Sequence, residues 1–239
     1  MCLNGVNNGV LKMSETKKEA KSIIIQMPMF RASYVNVAKP YVDEDGKASF
    51  GLTAILPLRE DMDPASRKRL DFCEQVIWQA IEEKWNSKFR KELQEQHEAG
   101  QPLKKFKWPF RDGSTDFDLT KNPSYENKLI VNLRSYDRQP GCLDENKQDI
   151  ILTSAEFGQQ IYSGMYATAT VNVFCFDHNK GGKGCSLVLR NVMKLKDGDR
   201  LAGVASATRD FEDVDTTDFG VDNAALLDEQ PRKPLLRGL

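Results

Sequence analysis

The chain has 239 residues, 40% of them hydrophobic, enough for one large domain or two small ones around a substantial core. No run approaches the roughly 18 to 20 apolar residues of a membrane-spanning helix, and a mean hydropathy of -0.54 points the same way, to a soluble chain with no membrane partner. Lys+Arg 34 against Asp+Glu 35 gives a net charge of -1, which at face value argues against a nucleic-acid binder.

The five cysteines, Cys2, Cys73, Cys142, Cys175 and Cys185, have no paired spacing of a disulfide framework or zinc site, so a reducing compartment is the simpler expectation. Residues 1–22 are polar, Gly/Asn-rich and then charged, which predicts a disordered arm. From Ser22 to Val42 the sequence is β-rich and runs into Asp43-Glu44-Asp45-Gly46, a favoured hairpin turn. In the strand that follows, Ala48, Phe50, Leu52, Ala54, Leu56 and Leu58 share one face at period two, opposite Ser49, Gly51 and Thr53.

Asp63-Pro64 reads as helix N-cap and first position, and Gly100 as the stop. Between them, over about 64–99, Leu70, Cys73, Ile77, Ile81, Trp85, Phe89 and Leu93 form one apolar stripe. A straight helix of that length spans roughly 54 Å, wider than such a domain, so a break is expected near Asn86-Ser87. Residues 101–127 read as a basic aromatic loop, with Lys104, Lys105, Lys107, Trp108, Phe110 and Arg111 ahead of Asp112-Gly113.

Strands resume at Lys128–Tyr136, Tyr166–Phe176 and Cys185–Lys196, the last two joined by a Gly181-Gly182 turn flanked by Lys180 and Lys183. Five main strands and one long helix make the chain mainly β (α+β), an OB-fold-like five-stranded barrel over about 23–204. The usual OB helix sits between the third and fourth strands, whereas here it follows the second, so the expected form carries an inserted helix and loop. Residues 205–239 read as a disordered tail, in which Asp210, Glu212, Asp213, Asp215, Asp218 and Asp222 stand among eight acids over 210–229, a stretch with no base.

On the strand from Tyr166, the odd positions Ala167, Ala169, Val171, Val173 and Cys175 face the core. Tyr166, Thr168, Thr170, Asn172, Phe174 and Phe176 make a polar face interrupted by aromatics. Leu129, Val131 and Leu133 turn inward and leave Arg134 and Tyr136 outside, and Arg190 on the last strand is a further basic candidate for DNA binding. Aromatics on a cation-bearing polar face suit single-stranded nucleic acid, because every unpaired base has a π-face to stack on while Lys and Arg track phosphates. Burial of the same aromatics under the helix or loop is the competing reading.

An enzyme is not expected. His97 lies on the polar part of the charged helix, Asp116 and Asp118 lack the converging acids of a two-metal site, and Cys175, His178 and Cys185 match no common metal spacing. No cofactor or metal is expected.

Phe30-Arg31-Ala32-Ser33-Tyr34-Val35-Asn36-Val37 with Pro40, Arg111-Asp112-Gly113, Tyr162-Ser163-Gly164-Met165-Tyr166, and Leu195-Lys196-Asp197-Gly198-Asp199-Arg200-Leu201-Ala202-Gly203 occur in that order. Together they resemble a family of tailed-phage single-stranded DNA-binding proteins over about residues 24–213. The resemblance implies an OB-fold that binds single-stranded DNA without catalysis in phage replication or recombination, in the cytoplasm of the infected bacterium. It also implies Tyr34, Arg111 and Tyr166 as DNA-binding positions, to which the neighbouring basic residue Arg31 is added, and an acidic tail that contacts replication or recombination proteins. The alternative is a scaffold protein that recruits such partners through the tail; a dimer is among the open oligomeric states. Two features depart from the family: Met165 stands where many relatives carry Cys, and the tail ends in Pro-Arg-Lys-Pro-Leu-Leu-Arg-Gly-Leu rather than in acids. Residues 210–239 hold eight acids and three bases, a net of -5, which leaves 31 bases and 27 acids, a net of +4, for residues 1–209. The apparent neutrality of the chain is thus a mildly basic body joined to an acidic tail.

Overall fold

In a computed structural model of the chain, the residues described are 23–101, 103, 106–151, 153, 157–178 and 181–201. The N-terminal arm, the acidic tail positions Asp210, Glu212, Asp213, Asp215, Asp218 and Asp222, and the loop lysines Lys104, Lys105 and Lys180 lie outside them.

The strands are β1 (Ile25–Gln26), β2 (Phe30–Val42), β3 (Ala48–Pro57), β4 (Phe106–Lys107), β5 (Arg111–Asp112), β6 (Lys128–Ser135), β7 (Gly141–Leu143), β8 (Tyr166–His178) and β9 (Gly182–Lys196). The helices are α1 (Pro64–Lys84), α2 (Ser87–Glu98) and the single turn α3 (Phe157–Gln160). Five strands close on themselves: β2 pairs β3, β3 pairs β6, β6 pairs β9 in parallel, β9 pairs β8, and β8 returns to β2. Taken in chain order, that is 1-2-3-5-4-1 with the third and fifth strands parallel, the closed Greek-key barrel of an OB-fold. The helix expected between the third and fourth strands is reduced to α3, and the long helical insertion follows the second strand.

The turn and cap chemistry acts as the sequence indicates. Asp43 O accepts from Gly46 N at 2.9 Å, and Asp43 Oδ1 from Lys47 N at 2.7 Å, tying off the β2–β3 hairpin. Asp63 Oδ1 accepts from Ala65 N and Ser66 N, both at 2.9 Å, and opens α1. The helical rod breaks after Lys84: Asn86 caps α2 by accepting from Phe89 N at 2.8 Å. Leu70, Cys73, Ile77, Ile81 and Leu93 of the apolar stripe are buried against the barrel, with Trp85 and Phe89 packed at its margin. Beneath them, Leu52, Ala54, Leu56, Val131, Leu133, Ala167, Val171, Leu187 and Leu189 fill the barrel interior. Met165 is fully buried in the same core, a place that suits a soft apolar side chain.

Both faces of β3 are covered, unlike the half-open strand its alternation suggests. Ser49, Gly51, Thr53 and Ile55 are buried alongside Leu52, Ala54 and Leu56. Ile55, Ile130 and Tyr125 are buried outside the main core, on the outer surface of the barrel beneath the segment that follows β5.

Candidate nucleic-acid interface

Strand pairing gathers side chains that are far apart in sequence onto the outer face of the barrel. One rung runs from Tyr166 on β8 through Arg31 on β2, Ile55 on β3 and Ile130 on β6 to Arg111 on β5. The next carries Ser33, Thr53 and Asn132. A third carries Asn36, Gly51, Arg134, Val188 and Asn172, and beyond it Phe174 stands opposite Ser186. Neighbouring rungs alternate with core residues because side chains along a strand point to opposite faces.

A groove of about 420 Å³ opens on this face, lined by Tyr34, Asn36, Tyr41, Thr53, Phe117, Asn122, Tyr125, Asn132 and Arg134. Tyr34, Tyr41, Tyr136 and Phe174 are more than half exposed, at 56%, 51%, 54% and 55%. Rings this exposed on a sheet face leave π-surface available for a ligand. Cations accompany them: Arg134 Cζ lies 6.0 Å from the Tyr41 ring and Lys47 Nζ 4.0 Å from the Tyr136 ring. Arg111 Cζ stands 4.0 Å from the Phe117 ring while Arg111 Nη2 donates to Asp116 O at 2.9 Å.

Tyr34 is held unusually. Its φ of 47° is in the left-handed region that a bulky residue rarely adopts, within a β-bulge between Ser33 and Asn36. Asn36 Nδ2 donates to Tyr34 O at 3.0 Å, Val35 N donates to Ser163 Oγ at 3.2 Å, and the Tyr34 hydroxyl donates to Asn122 Oδ1 at 2.9 Å. Bulge and bonds together lift the ring over the groove mouth.

A second cluster lies where two of the sequence motifs meet. Gly164, with φ 116°, packs so closely that an added β-carbon would stand 2.0 Å from Asp199 O. Arg31 Nη2 donates to Asp199 O at 2.8 Å and its Nε donates to Gly164 O at 3.4 Å, so Arg31 ties the motifs together as well as facing outward. The Tyr162 hydroxyl donates to Asp197 Oδ1 at 2.7 Å and accepts from Gly198 N at 3.2 Å. The Lys194 and Tyr162 hydrogen bonds hold the Asp197 carboxyl below its ordinary value. Lys196 Nζ sits 4.6 Å from the Tyr166 ring and Arg200 Cζ 4.3 Å from that of Tyr162, continuing the cation-on-aromatic pattern to this end of the face.

Several expectations need correction. Trp108 does not face outward but packs against the helices, its ring 4.7 Å from both Trp78 and His97. Phe110 is buried in the core. The exposed ends of the apolar helix stripe need a cover, and these aromatics supply it, so their interleaving with lysines is packing rather than a stacking platform. His97 likewise faces Trp78 and Trp108 instead of lying on a polar surface. Phe176 is half-buried and stacks on His178 with centroids 5.3 Å apart. Lys183 is engaged in docking the hairpin onto the helices, 4.9 Å from the Phe89 ring and 3.8 Å from Asp177 Oδ2. Lys107 is exposed on β4, away from the groove lining. Arg190 is half-buried and its carbonyl accepts from Arg138 Nη2 at 3.2 Å.

Arg31, Tyr34, Arg111, Arg134, Tyr136, Tyr166 and Phe174 thus share the outer face. Sequence reasoning missed Tyr41, Lys47, Thr53, Phe117, Asn122 and Asn132. Asn132 alternates with Arg134, a usable signal, whereas the bulges of β2 take Tyr41 out of its alternation; Phe117 and Asn122 lie in an aperiodic segment that carries none. Among the described residues no three His, Cys, Asp or Glu side chains converge as a metal site.

The Enterobacter phage Enc34 ssDNA-binding protein family matches residues 21–220. Protein p50 of Acyrthosiphon pisum secondary endosymbiont phage 1 is 30% identical over 152 residues, which cover 62% of this chain and 74% of that one. Among solved structures, the single-stranded DNA-binding protein from bacteriophage Enc34 in complex with ssDNA superposes with a TM-score of 0.52 at 22% identity, covering 75% of this chain and 89% of that one. Its C-terminal truncation gives a TM-score of 0.53 at 19% identity over 74% and 88%. These structures share the barrel fold, and the family match spans nearly the whole chain. The chain belongs to the Enterobacter phage Enc34 single-stranded DNA-binding protein family.

Proposed function

We propose that this chain binds single-stranded DNA along the outer face of the barrel, without catalysis and with little sequence preference, coating exposed strands during phage DNA replication or recombination in the infected cell. The observation that carries the reading is the set of exposed rings of Tyr34, Tyr41, Tyr136 and Phe174 interleaved with Arg134, Lys47 and Arg111 on one curved surface. Stacking on such rings contributes about 1–3 kcal/mol per base and accepts any base, while the cations track the phosphates. A net of only +4 outside the acidic segment means that affinity leans on stacking and local cations rather than on bulk attraction. Family membership favours this reading over a scaffold, and no observation favours the scaffold.

The acidic tail serves in this reading as a contact for other replication or recombination proteins and as an anionic competitor for the basic face. An oligo-dT titration read by tryptophan fluorescence or anisotropy, beside a duplex of equal length, tests the central reading. Binding to the single strand well above the duplex supports it; equal affinity at moderate salt contradicts it.

A further inference from the structure

Cys175 on β8 and Cys185 on β9 are directly opposed in the antiparallel ladder, and their Sγ atoms are 2.7 Å apart. Both are free thiols. Directly opposed residues of such a ladder have Cα atoms about 4.5–5.5 Å apart, inside the span that a disulfide bridges. The other described cysteines are excluded from such a pairing: Cys73 is on α1 and Cys142 on β7, each buried with its thiol pushed up to about 12 by desolvation.

We propose that the Cys175–Cys185 pair is a redox modification site, a cross-strand dithiol that hydrogen peroxide converts reversibly to a disulfide near the tip of the β8–β9 hairpin. The two thiols are unequal in a way that assigns their roles. Cys185 is 3% exposed, whereas Cys175 is half-buried near the end of α1. The hydrogen bond from Cys185 holds the Cys175 thiol below its ordinary value and Lys84 helps, with burial and Glu83 opposing. Cys175 is therefore the attacking thiolate and Cys185 the resolving thiol.

The Cys175 thiolate attacks one peroxide oxygen; the O–O bond breaks, and the departing hydroxide takes a proton and leaves as water. This gives a sulfenic acid on Cys175. Cys185 Sγ then attacks the Cys175 sulfur, the Cys185 proton passes to the leaving hydroxide, and a second water departs as the S–S bond forms. Two electrons pass from the thiols to the peroxide, and a dithiol reductant reverses the change by exchange.

The position gives the bond a consequence. On one side of the Cys175–Cys185 rung lie Phe174 and Ser186; two residues the other way lie Asp177 and Lys183. Asp177 accepts from Trp85 Nε1 at 3.3 Å, and Lys183 covers the Trp85 and Phe89 rings. A covalent rung here fixes the hairpin between the outer face and the α1–α2 junction. The site itself is independent of the DNA-binding reading.

The test treats the reduced full-length protein with a stoichiometric amount of hydrogen peroxide, followed by intact mass and non-reducing peptide mapping. The expected result is loss of the mass of two hydrogens and a linked Cys175–Cys185 peptide that dithiothreitol separates. Cys175→Ser is expected to leave Cys185 unmodified, and Cys185→Ala to leave Cys175 as sulfenic or sulfinic acid; the wild-type map stands whether or not either variant folds. Oxygen added at Cys175 of the wild type without a link, or a link through another cysteine, overturns the proposal. Amide exchange over residues 170–190 is expected to slow on oxidation, and unchanged exchange overturns the stiffening.

Discussion

The side chain of Arg134 lies across the bare backbone of Gly51. A β-carbon added at Gly51 would stand 2.9 Å from Arg134 Cδ and 2.3 Å from Leu133 O. The first contact involves a flexible side chain, but the second is a strand carbonyl that cannot yield without moving the ladder. Gly51 therefore lets β3 and β6 meet closely and leaves the Arg134 guanidinium lying over the outer face. Gly51→Ala is expected to cost at least about 1–3 kcal/mol of stability, as overpacking does, and to weaken DNA binding by displacing Arg134. Chemical denaturation and an oligo-dT titration of the same sample check both.

Exposed and buried aromatics are expected to behave differently under mutation. Tyr41→Ala, Tyr136→Ala and Phe174→Ala are each expected to lower oligo-dT affinity by about 5- to 150-fold, the equivalent of about 1–3 kcal/mol of stacking, with little change in Tm. Phe110→Ala is expected to destabilise the fold by about 3–5 kcal/mol, and Trp108→Ala by less, while affinity per folded molecule is retained. Melting curves read beside binding isotherms distinguish the two classes.

Tyr34 combines a backbone cost with an exposed ring. Tyr34→Phe loses the Asn122 hydrogen bond but keeps the ring, so affinity is expected to hold. Tyr34→Gly relieves a left-handed backbone that costs about 1 kcal/mol and so maintains stability, yet binds DNA more weakly for want of the ring. Loss of stability together with retained affinity in the glycine variant would contradict this assignment.

The barrel was largely legible because its determinants are local. The period-two pattern of β3, the Asp63 cap and the Asn86 break each rest on a few consecutive residues. The parallel β6–β9 pairing and the outer-face rungs are products of closure, and no short window encodes them. The bulges of β2 break its alternation between Ser33 and Tyr41, which hid Tyr41 as a groove residue. Trp108 and Phe110 misled for a different reason: aromatics interleaved with lysines look alike in sequence whether a base or a helix covers them.

Acid pH weakens the fold through carboxylates held by hydrogen bonds. Ser66 and Ala65 lower Asp63, Thr120 and Lys121 lower Asp118, and Lys194 and Tyr162 lower Asp197. Their stabilisation is complete above the unfolded carboxylate range near pH 4 and is lost as pH falls through the lower folded values. Tm is expected to be flat in this respect from pH 7 to 5 and to fall below pH 4. A pH series by scanning calorimetry measures it.

Removing the acidic segment tests the tail's role as competitor. A chain ending at Arg209 is expected to bind oligo-dT more tightly than the full chain and with a steeper dependence on salt, because in the proposed role the anionic segment competes with phosphate for basic side chains. Unchanged or weaker binding contradicts that role.

The central claim is that the outer face of β2, β3, β6 and β8 is the DNA surface. Photocrosslinking of the full chain to an oligonucleotide carrying 5-iodo-deoxyuridine, with the linked residues mapped by mass spectrometry, tests it most directly. Crosslinks are expected at Tyr34, Tyr41, Tyr136 and Phe174. Crosslinks confined to the helical side of the barrel, around Phe72 or Trp85, would contradict the account.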